Sequence, residues 1–167
     1  MADYFSQTVI RPDIPRAAMT ELEYAVLALV FDHEIVDDDV YFSSGCGPSD
    51  IVTLPVSDVR RWLLEDDGVA SGMADLARKE LAELDSDAID VDFDLSVISF
   101  EGILQDVVKR SALDFVEVEA AWTCSKMRPD GFGGAATLIT ADAVESMSTS
   151  GWLDEAISRV MQPAPAG

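Results

Sequence analysis

The sequence contains few of the residues from which common active sites are built. It has one histidine, His33, and two cysteines, Cys46 and Cys124, which lie far apart. An ordinary structural zinc site takes four Cys or His ligands, so these three residues exclude one. Two separated cysteines are typical of reduced thiols in a cytoplasmic protein. No G-x-S-x-G, P-loop, G-x-G-x-x-G or H-E-x-x-H motif occurs, and we expect no cofactor.

Long hydrophobic runs are also missing. No apolar stretch approaches the roughly 20 residues that a membrane-spanning helix needs. The first residues, M-A-D-Y-F-S-Q-T, have neither the basic region nor the apolar region of a signal peptide. These features predict a cytoplasmic protein that has no membrane partner.

Basic residues are scarce relative to acidic ones. The chain has 11 Lys and Arg against 32 Asp and Glu, which gives a formal net charge of −21, whereas small domains are comfortable with a magnitude of roughly 2–8. Apolar residues still make up 49% of the sequence, so the chain has enough hydrophobic material to fold. Nucleic acids and anionic membranes are polyanions, and direct binding to either is therefore disfavoured.

The segment 116–140 predicts a β-hairpin. Apolar and polar residues alternate in its first half, which is typical of a strand with one packed face. Its turn is assigned to residues 129–134, because proline presets φ and glycine accepts backbone angles that other residues resist. The apolar run 135–139 predicts the second strand, and we expect it to lead directly into a helix capped by Thr140.

Side-chain caps mark the starts of the other predicted helices. Thr20 and Glu23 predict a capping box ahead of an apolar core helix that runs to about residue 32. Three further helices are expected to follow serine caps: Ser57, Ser71 and Ser99. A last helix over 152–161, separated from the one before it by Ser150 and Gly151, is expected to bury its apolar residues: Leu153, Ala156, Ile157 and Val160.

The remaining segments complete the predicted fold. Strands are expected over residues 4–10, 40–44 and 51–54, with an acidic loop over 33–39 and a turn over 45–50 between the last two strands. Together these elements predict an α+β fold in a single domain over residues 1–161, with a mostly antiparallel sheet of about four or five strands packed by about five helices. Residues 162–167, rich in Pro, Ala and Gly, are expected to form a flexible tail.

The acidic residues occur in clusters. Nine carboxylates and no base lie between Glu80 and Asp106. Three aspartates alternate over 90–94, so on a strand they project from one face about 6.6 Å apart, close to the ~6–7 Å between successive phosphates of a nucleic-acid strand. Glu117 and Glu119 are expected to extend this ladder on a neighbouring strand. The predicted partner-binding residues are Asp85, Asp87, Asp90, Asp92, Asp94, Glu117, Glu119, Asp37, Asp38 and Asp39.

Part of a calcium-binding pattern overlaps these aspartates. The three alternating aspartates and Glu101 take positions 1, 3, 5 and 12 of an EF-hand loop. Position 6, where the sharp turn requires glycine, is Leu95. We therefore expect no dedicated metal site.

A nucleophilic enzyme is an alternative that the residue content allows. Cys124 with His33 as its base is one arrangement, and a pair of carboxylates in a cleft is another. Cys124, however, lies on the packed face of its predicted strand. His33 is expected at the end of a helix, where a partly cationic ring is favoured. A structural role is predicted for both residues.

Two segments resemble short proteins carried on bacterial plasmids and integrated elements: residues 124–134, C-S-K-M-R-P-D-G-F-G-G, and residues 139–144, I-T-A-D-A-V. The resemblance extends to residues 4–10. Residues 140–144 are also similar to the S-A-D-A segment of the ArdB/KlcA antirestriction proteins. The resemblance implies an origin on a mobile element, whose cargo often blunts host defences, and it implies no catalytic residue.

The charge and its clustering predict a non-enzymatic inhibitor. Its acidic surface is expected to dock onto a basic nucleic-acid-binding host protein, as an anti-CRISPR or antirestriction protein that imitates the charge of DNA. An immunity protein or antitoxin that covers a basic toxin nuclease is an alternative of the same kind. A small enzyme that uses Cys124 or a carboxylate pair is the alternative from a different class.

Overall fold

The computed structural model describes residues 3–128 and 131–161. Its strands are β1 (Tyr4–Arg11), β2 (Ile14–Pro15), β3 (Asp32–Val36), β4 (Asp39–Ser44), β5 (Ile51–Pro55), β6 (Asp90–Asp94), β7 (Phe115–Cys124), β8 (Gly133–Thr140) and β9 (Val144–Ser148). Its helices are α1 (Glu21–Val30), α2 (Val56–Glu65), α3 (Gly72–Glu83), α4 (Phe100–Arg110) and α5 (Thr149–Met161), with a short 3-10 helix, Arg16–Ala18, before α1. The predicted turn residues Pro129 and Asp130 and the predicted tail 162–167 lie outside the described residues.

The fold is α+β, as predicted, but its main sheet has seven strands rather than four or five. Across this sheet the strands follow the order β3, β4, β1, β7, β8, β9, and the short β2 pairs with the same edge of β4 as β1 does. Every strand pairing in the described chain is antiparallel. The predicted hairpin over 116–140 is confirmed as the β7–β8 pair in the middle of the sheet.

The predicted acidic loop over 33–39 is wrong, because these residues form a hairpin between β3 and β4. Asp37 makes its turn with a φ of 55°, a left-handed conformation that Asp tolerates better than most residues. All residues of β3 are exposed, which is typical of a charged strand at the edge of a sheet. His33 therefore lies on an edge strand and not at the end of α1.

β4 and β5 are strands, as predicted, but they do not pair with each other. β5 pairs instead with β6 in a separate two-stranded sheet, with Thr53 opposite Asp92 and Ile51 opposite Asp94. The partner of β5 thus comes from a segment about 40 residues later in the chain, which local turn signals cannot reveal.

The capping box of α1 is confirmed. The Thr20 hydroxyl accepts a hydrogen bond from the Glu23 N–H at 3.1 Å, and the Glu23 carboxylate accepts one from the Thr20 N–H at 2.9 Å. The caps at Ser71 and Ser99 are confirmed too, because each hydroxyl accepts an N–H in the first turn of its helix. The cap at Ser57 is wrong: α2 begins at Val56, after Pro55, so Ser57 lies inside the helix, which has no side-chain cap.

The chain after β8 also differs from its prediction. Thr140 does not cap a helix but closes a tight turn into β9. α5 begins only at Thr149, and Ser150 and Gly151 lie in its first turn rather than interrupting it. No residue of α5 is buried. The expected burial is therefore wrong for the whole predicted set: Leu153, Ala156, Ile157 and Val160.

Gly133 is not a turn residue but part of β8, opposite Trp122 of β7. A Cβ atom at Gly133 would lie 2.3 Å from the indole ring of Trp122. The glycine is therefore required by the aromatic ring that lies over it, and its φ is not in the left-handed region.

One continuous hydrophobic cluster joins the two sheets through the helices. The inner face of the seven-stranded sheet packs on α1 and α4, and these helices contact α3 and the small sheet in turn. On the opposite, outer face of the seven-stranded sheet, α5 contacts β8 and β9. Within the described ranges, no helix has the length and apolar character needed to cross a membrane.

Candidate acidic binding surface

The alternating aspartates of β6 lie on one exposed face of a strand. Val91 and Phe93 point the other way and are almost completely buried, with 2% and 0% of their surface exposed. Because side chains alternate along a strand, these two anchors force Asp90, Asp92 and Asp94 outward together. We call these three residues the Asp ladder. Their projection from one strand face confirms the geometry that the sequence predicts.

Two carboxylates of the Asp ladder are held by hydrogen bonds. The Thr53 hydroxyl, on the paired strand β5, donates to Asp92 Oδ1 at 2.6 Å. The Ser96 N–H donates to Asp94 Oδ1 at 2.8 Å. Hydrogen bonds from the side chain of Ser96, and then from its backbone N–H, lower the pKa of Asp94 below its usual 3.8. Asp94 therefore keeps its charge at mildly acidic pH.

Thr53 and Ser96 are site residues that the sequence analysis missed. The pairing of β5 with β6 places Thr53 beside Asp92, and that pairing is not visible in the sequence. Ser96 had a local signal, because a serine two residues after an aspartate commonly donates to it in an Asx-type turn.

Asp85 and Asp87 lie in the loop that leads from α3 into β6, and both are exposed. The Ala88 N–H donates to the Asp85 carbonyl at 3.1 Å, which folds this loop into a turn. The two aspartates thus precede the Asp ladder directly in the chain, and the five acids form one acidic segment on the surface.

The other predicted acids lie elsewhere. Asp37 and Asp38 form the turn of the β3–β4 hairpin and Asp39 begins β4, at an edge of the seven-stranded sheet. They therefore belong to a different sheet from the Asp ladder. They form a second acidic segment.

Glu117 and Glu119 do not extend the Asp ladder. They lie on β7, in the middle of the seven-stranded sheet, whereas β6 pairs only with β5. Arg11 on the neighbouring strand β1 contacts both carboxylates, at 3.4 Å and 2.7 Å. Their charge is thus partly compensated within the protein, and this part of the predicted site is wrong in its placement.

The ion pairs of the described residues do not involve the two acidic segments. Among residues 3–128 and 131–161, seven of the bases contact carboxylates: Arg11, Arg16, Arg61, Arg78, Lys79, Lys109 and Arg110. None of these ion pairs involves an acid of the Asp ladder, its preceding loop or the β3–β4 turn. These eight acids are therefore among those whose charge no ion pair of the described residues compensates.

The catalytic alternatives find little support in the geometry. His33 on β3 and Cys124 on β7 are separated by β4 and β1, so they lie at least roughly 14 Å apart at the usual strand spacing. Cys124 is buried, and the ring of His33 instead contacts Tyr24 and Phe42. In the part of the chain that the structure describes, no three His, Cys, Asp or Glu residues are grouped so that they could hold a metal ion.

No protein-family model, curated protein or solved structure matches the chain.

Proposed function

We propose that this protein is a non-enzymatic inhibitor that docks onto a basic nucleic-acid-binding protein of its host. The Asp ladder carries the proposal, because three exposed carboxylates project from one face of a strand and none of them belongs to an ion pair of the described residues. Their spacing of about 6.6 Å matches that of successive phosphates. A nucleic-acid channel lined with Lys and Arg offers the complementary charge.

Two further observations support this proposal. The net charge of −21 steers the protein toward basic surfaces and away from nucleic acid itself. The resemblance of residues 124–134 and 139–144 to proteins of plasmids and integrated elements favours a host defence protein as the target. An anti-CRISPR or antirestriction activity is the form of inhibition that follows from these features.

The experiment uses the Asp90→Asn/Asp92→Asn/Asp94→Asn variant, because Asn keeps the shape of Asp and removes its charge. Tagged wild-type protein first captures partners from host extract that has been treated with nuclease. The captured protein is then purified, and its binding to a DNA duplex is measured with and without the inhibitor at several salt concentrations. We expect wild-type protein to displace the DNA most strongly at low salt, and the variant to be weaker by roughly tenfold or more.

A matched control removes the same number of charges elsewhere. Glu21, Asp58 and Asp75 are acids that already contact Arg16, Arg61 and Arg78, and their Gln and Asn variants should inhibit like wild type. Equal loss in both triple variants would mean that only net charge matters, and the Asp ladder would not be the site. If DNA binding by the captured protein is unaffected, the protein is not an inhibitor of this kind.

A further inference from the structure

β3 forms an open edge of the seven-stranded sheet. Among the described strands it pairs with β4 alone, and all of its residues are exposed. The backbone along such an edge presents N–H and C=O groups that no neighbouring strand uses. Another extended chain can pair with these groups, which is the recognition mode called β-augmentation.

The turn of the β3–β4 hairpin shows which backbone groups point outward. Its first residue, Asp37, has a φ of 55° and its second has no positive φ, which is the pattern of a two-residue type II′ turn. The pair that closes such a turn is hydrogen-bonded, and here it is Val36 with Asp39. Hydrogen-bonded and non-hydrogen-bonded pairs alternate along antiparallel strands. The N–H and C=O groups of His33 and Ile35 therefore point away from β4.

The side chains of β3 divide between the two faces of the sheet. Ile35 lies opposite Val40, which is completely buried, so Ile35 and the alternate residue His33 lie on the inner face. Asp32 and Glu34 lie on the outer face. Ile35 is nonetheless 56% exposed, and an apolar side chain of an added strand would cover it.

Charge decides which chain can pair with this edge. Asp32 and Glu34 belong to none of the ion pairs of the described residues, and three more aspartates follow at positions 37–39. A second copy of β3 would place like charges opposite each other and is repelled. A chain with Lys or Arg at alternate positions meets opposite charges instead.

The shape of β3 does not exclude an added strand. Natural proteins often block a sheet edge with a proline or a β-bulge. β3 contains no proline, and its register with β4 advances one residue at a time from the Asp32–Ser43 pair to the Val36–Asp39 pair, without a bulge. The edge is therefore protected against acidic chains by charge, and it stays open to a basic one.

We propose that β3 accepts an extended basic segment of another protein as an additional antiparallel strand. The Lys or Arg side chains of this segment face Asp32 and Glu34, and its apolar side chains cover Ile35. The antiparallel orientation is chosen because it is the more stable per residue. The pairing does not depend on the proposed inhibition, and its site lies on a different sheet from the Asp ladder.

The test uses the synthetic peptide Lys-Val-Lys-Val-Lys, titrated into isotope-labelled protein at low salt and followed by NMR. We expect a dissociation constant below about 1 mM. Amide hydrogen exchange of His33 and Ile35 should become slower, because the peptide binds their outward N–H groups. The amides of β9, at the opposite edge of the sheet, should keep their exchange rates. A peptide with Glu in place of Lys should not bind.

Two N-methylated peptides separate strand pairing from simple charge attraction. In the antiparallel arrangement the N–H groups of the two Val residues point at β3, and those of the Lys residues point away. Methylation of the Val nitrogens should therefore abolish binding. Methylation of the Lys nitrogens, which leaves the charge of the peptide the same, should preserve it.

Two charge variants locate the peptide on the protein. Asp32→Asn/Glu34→Gln should weaken binding by roughly fivefold or more. Asp85→Asn/Asp87→Asn is the matched control, because it removes two exposed charges from the other acidic segment, and it should bind like wild type. The proposal is overturned by an absence of binding at about 1 mM, by unchanged exchange of His33 and Ile35, by equal binding of the two methylated peptides, or by equal loss in the two variants.

Discussion

Glu23 is a fully buried carboxylate that links three helices. Besides the Thr20 N–H, it accepts a hydrogen bond from the Ser71 hydroxyl at 2.7 Å and pairs with Arg110. Ser71 caps α3, and Arg110 ends α4. A charge without exposure to water is tolerated only when its partners satisfy it, so the starts of α1 and α3 and the end of α4 are fixed by one side chain.

We predict that Glu23→Gln lowers the free energy of unfolding by about 3 kcal/mol, because the partly buried guanidinium of Arg110 loses its counter-charge and a fully buried network loses its charged acceptor. Urea unfolding followed by circular dichroism measures this loss. Glu21→Gln is the control, since Glu21 also contacts an arginine but is about half exposed, and its cost should stay below about 1 kcal/mol. If the two variants lost the same free energy of unfolding, the buried Glu23 network would stabilise the fold no more than an exposed ion pair does.

Because hydrogen bonds from Ser96 lower the pKa of Asp94, the contribution of Asp94 to the stability of the fold depends on pH. Its pKa in the folded protein lies below the usual 3.8, so its stabilising contribution is complete above that value and is lost as the pH falls through the lower folded pKa. We predict that Ser96→Ala raises the pKa of Asp94 toward 3.8, measured by NMR titration of the carboxyl carbon. Ser86→Ala, in the exposed loop before β6, should leave this titration unchanged. An unaltered pKa in the Ser96 variant would contradict the assignment.

At the scale of elements, the side chain of Thr140 shows how the same chemistry serves two structures. Its hydroxyl donates to the Ala143 carbonyl at 3.1 Å and accepts the Ala143 N–H at 3.0 Å. A threonine at a helix start makes the same kind of local hydrogen bond to the backbone. The sequence T-A-D-A-V is therefore compatible with a helix cap and with a hairpin turn, and the predicted helix after Thr140 is wrong because the exposed strand β9 follows instead.

We predict that Thr140→Ala loosens β9 without unfolding the protein. Loss of these hydrogen bonds should cost about 1 kcal/mol. Amide hydrogen exchange should become faster in β9 and in the facing residues of β8, while α4 keeps its protection. Exchange that accelerates equally in α4 would indicate global destabilisation instead of a local turn effect.

The caps at Thr20, Ser71 and Ser99 were predictable because a cap and its helix lie within four residues of each other. The alternation in β6 and β7 was predictable for the same reason, since period two is a local property. The pairing of β5 with β6 was not predictable, because it joins distant segments. Nor was the exposure of α5, because its stripe is identical in pattern to that of a helix buried in its own domain.

At the scale of the whole molecule, repulsion among the excess carboxylates destabilises the folded state. The 32 acids exceed the 11 bases, and most ion pairs of the described residues lie on an exposed surface, where each contributes little. Repulsion among the unpaired acids is long-ranged and is screened by salt. The hydrophobic core therefore stabilises the fold against the repulsion among its own carboxylates.

We predict that raising NaCl from low to high concentration increases the thermal midpoint by roughly 3–8 °C, because screening removes part of this repulsion. Differential scanning calorimetry measures the shift. Sodium perchlorate at the same low ionic strengths should give a similar initial rise, since screening depends on ionic strength and not on the identity of the salt. A midpoint that falls with salt would mean that the ion pairs outweigh the repulsion.

The hydrogen bonds of the Asp ladder also affect the conformational entropy that its side chains lose when a partner binds. Thr53 and Ser96 donate hydrogen bonds that favour one orientation of Asp92 and of Asp94, and the buried side chains of Val91 and Phe93 fix the backbone between them. The conformational entropy of these side chains is therefore lost when the chain folds and not when a partner arrives. A guanidinium or ammonium group that approaches β6 would meet carboxylates whose positions are set in advance.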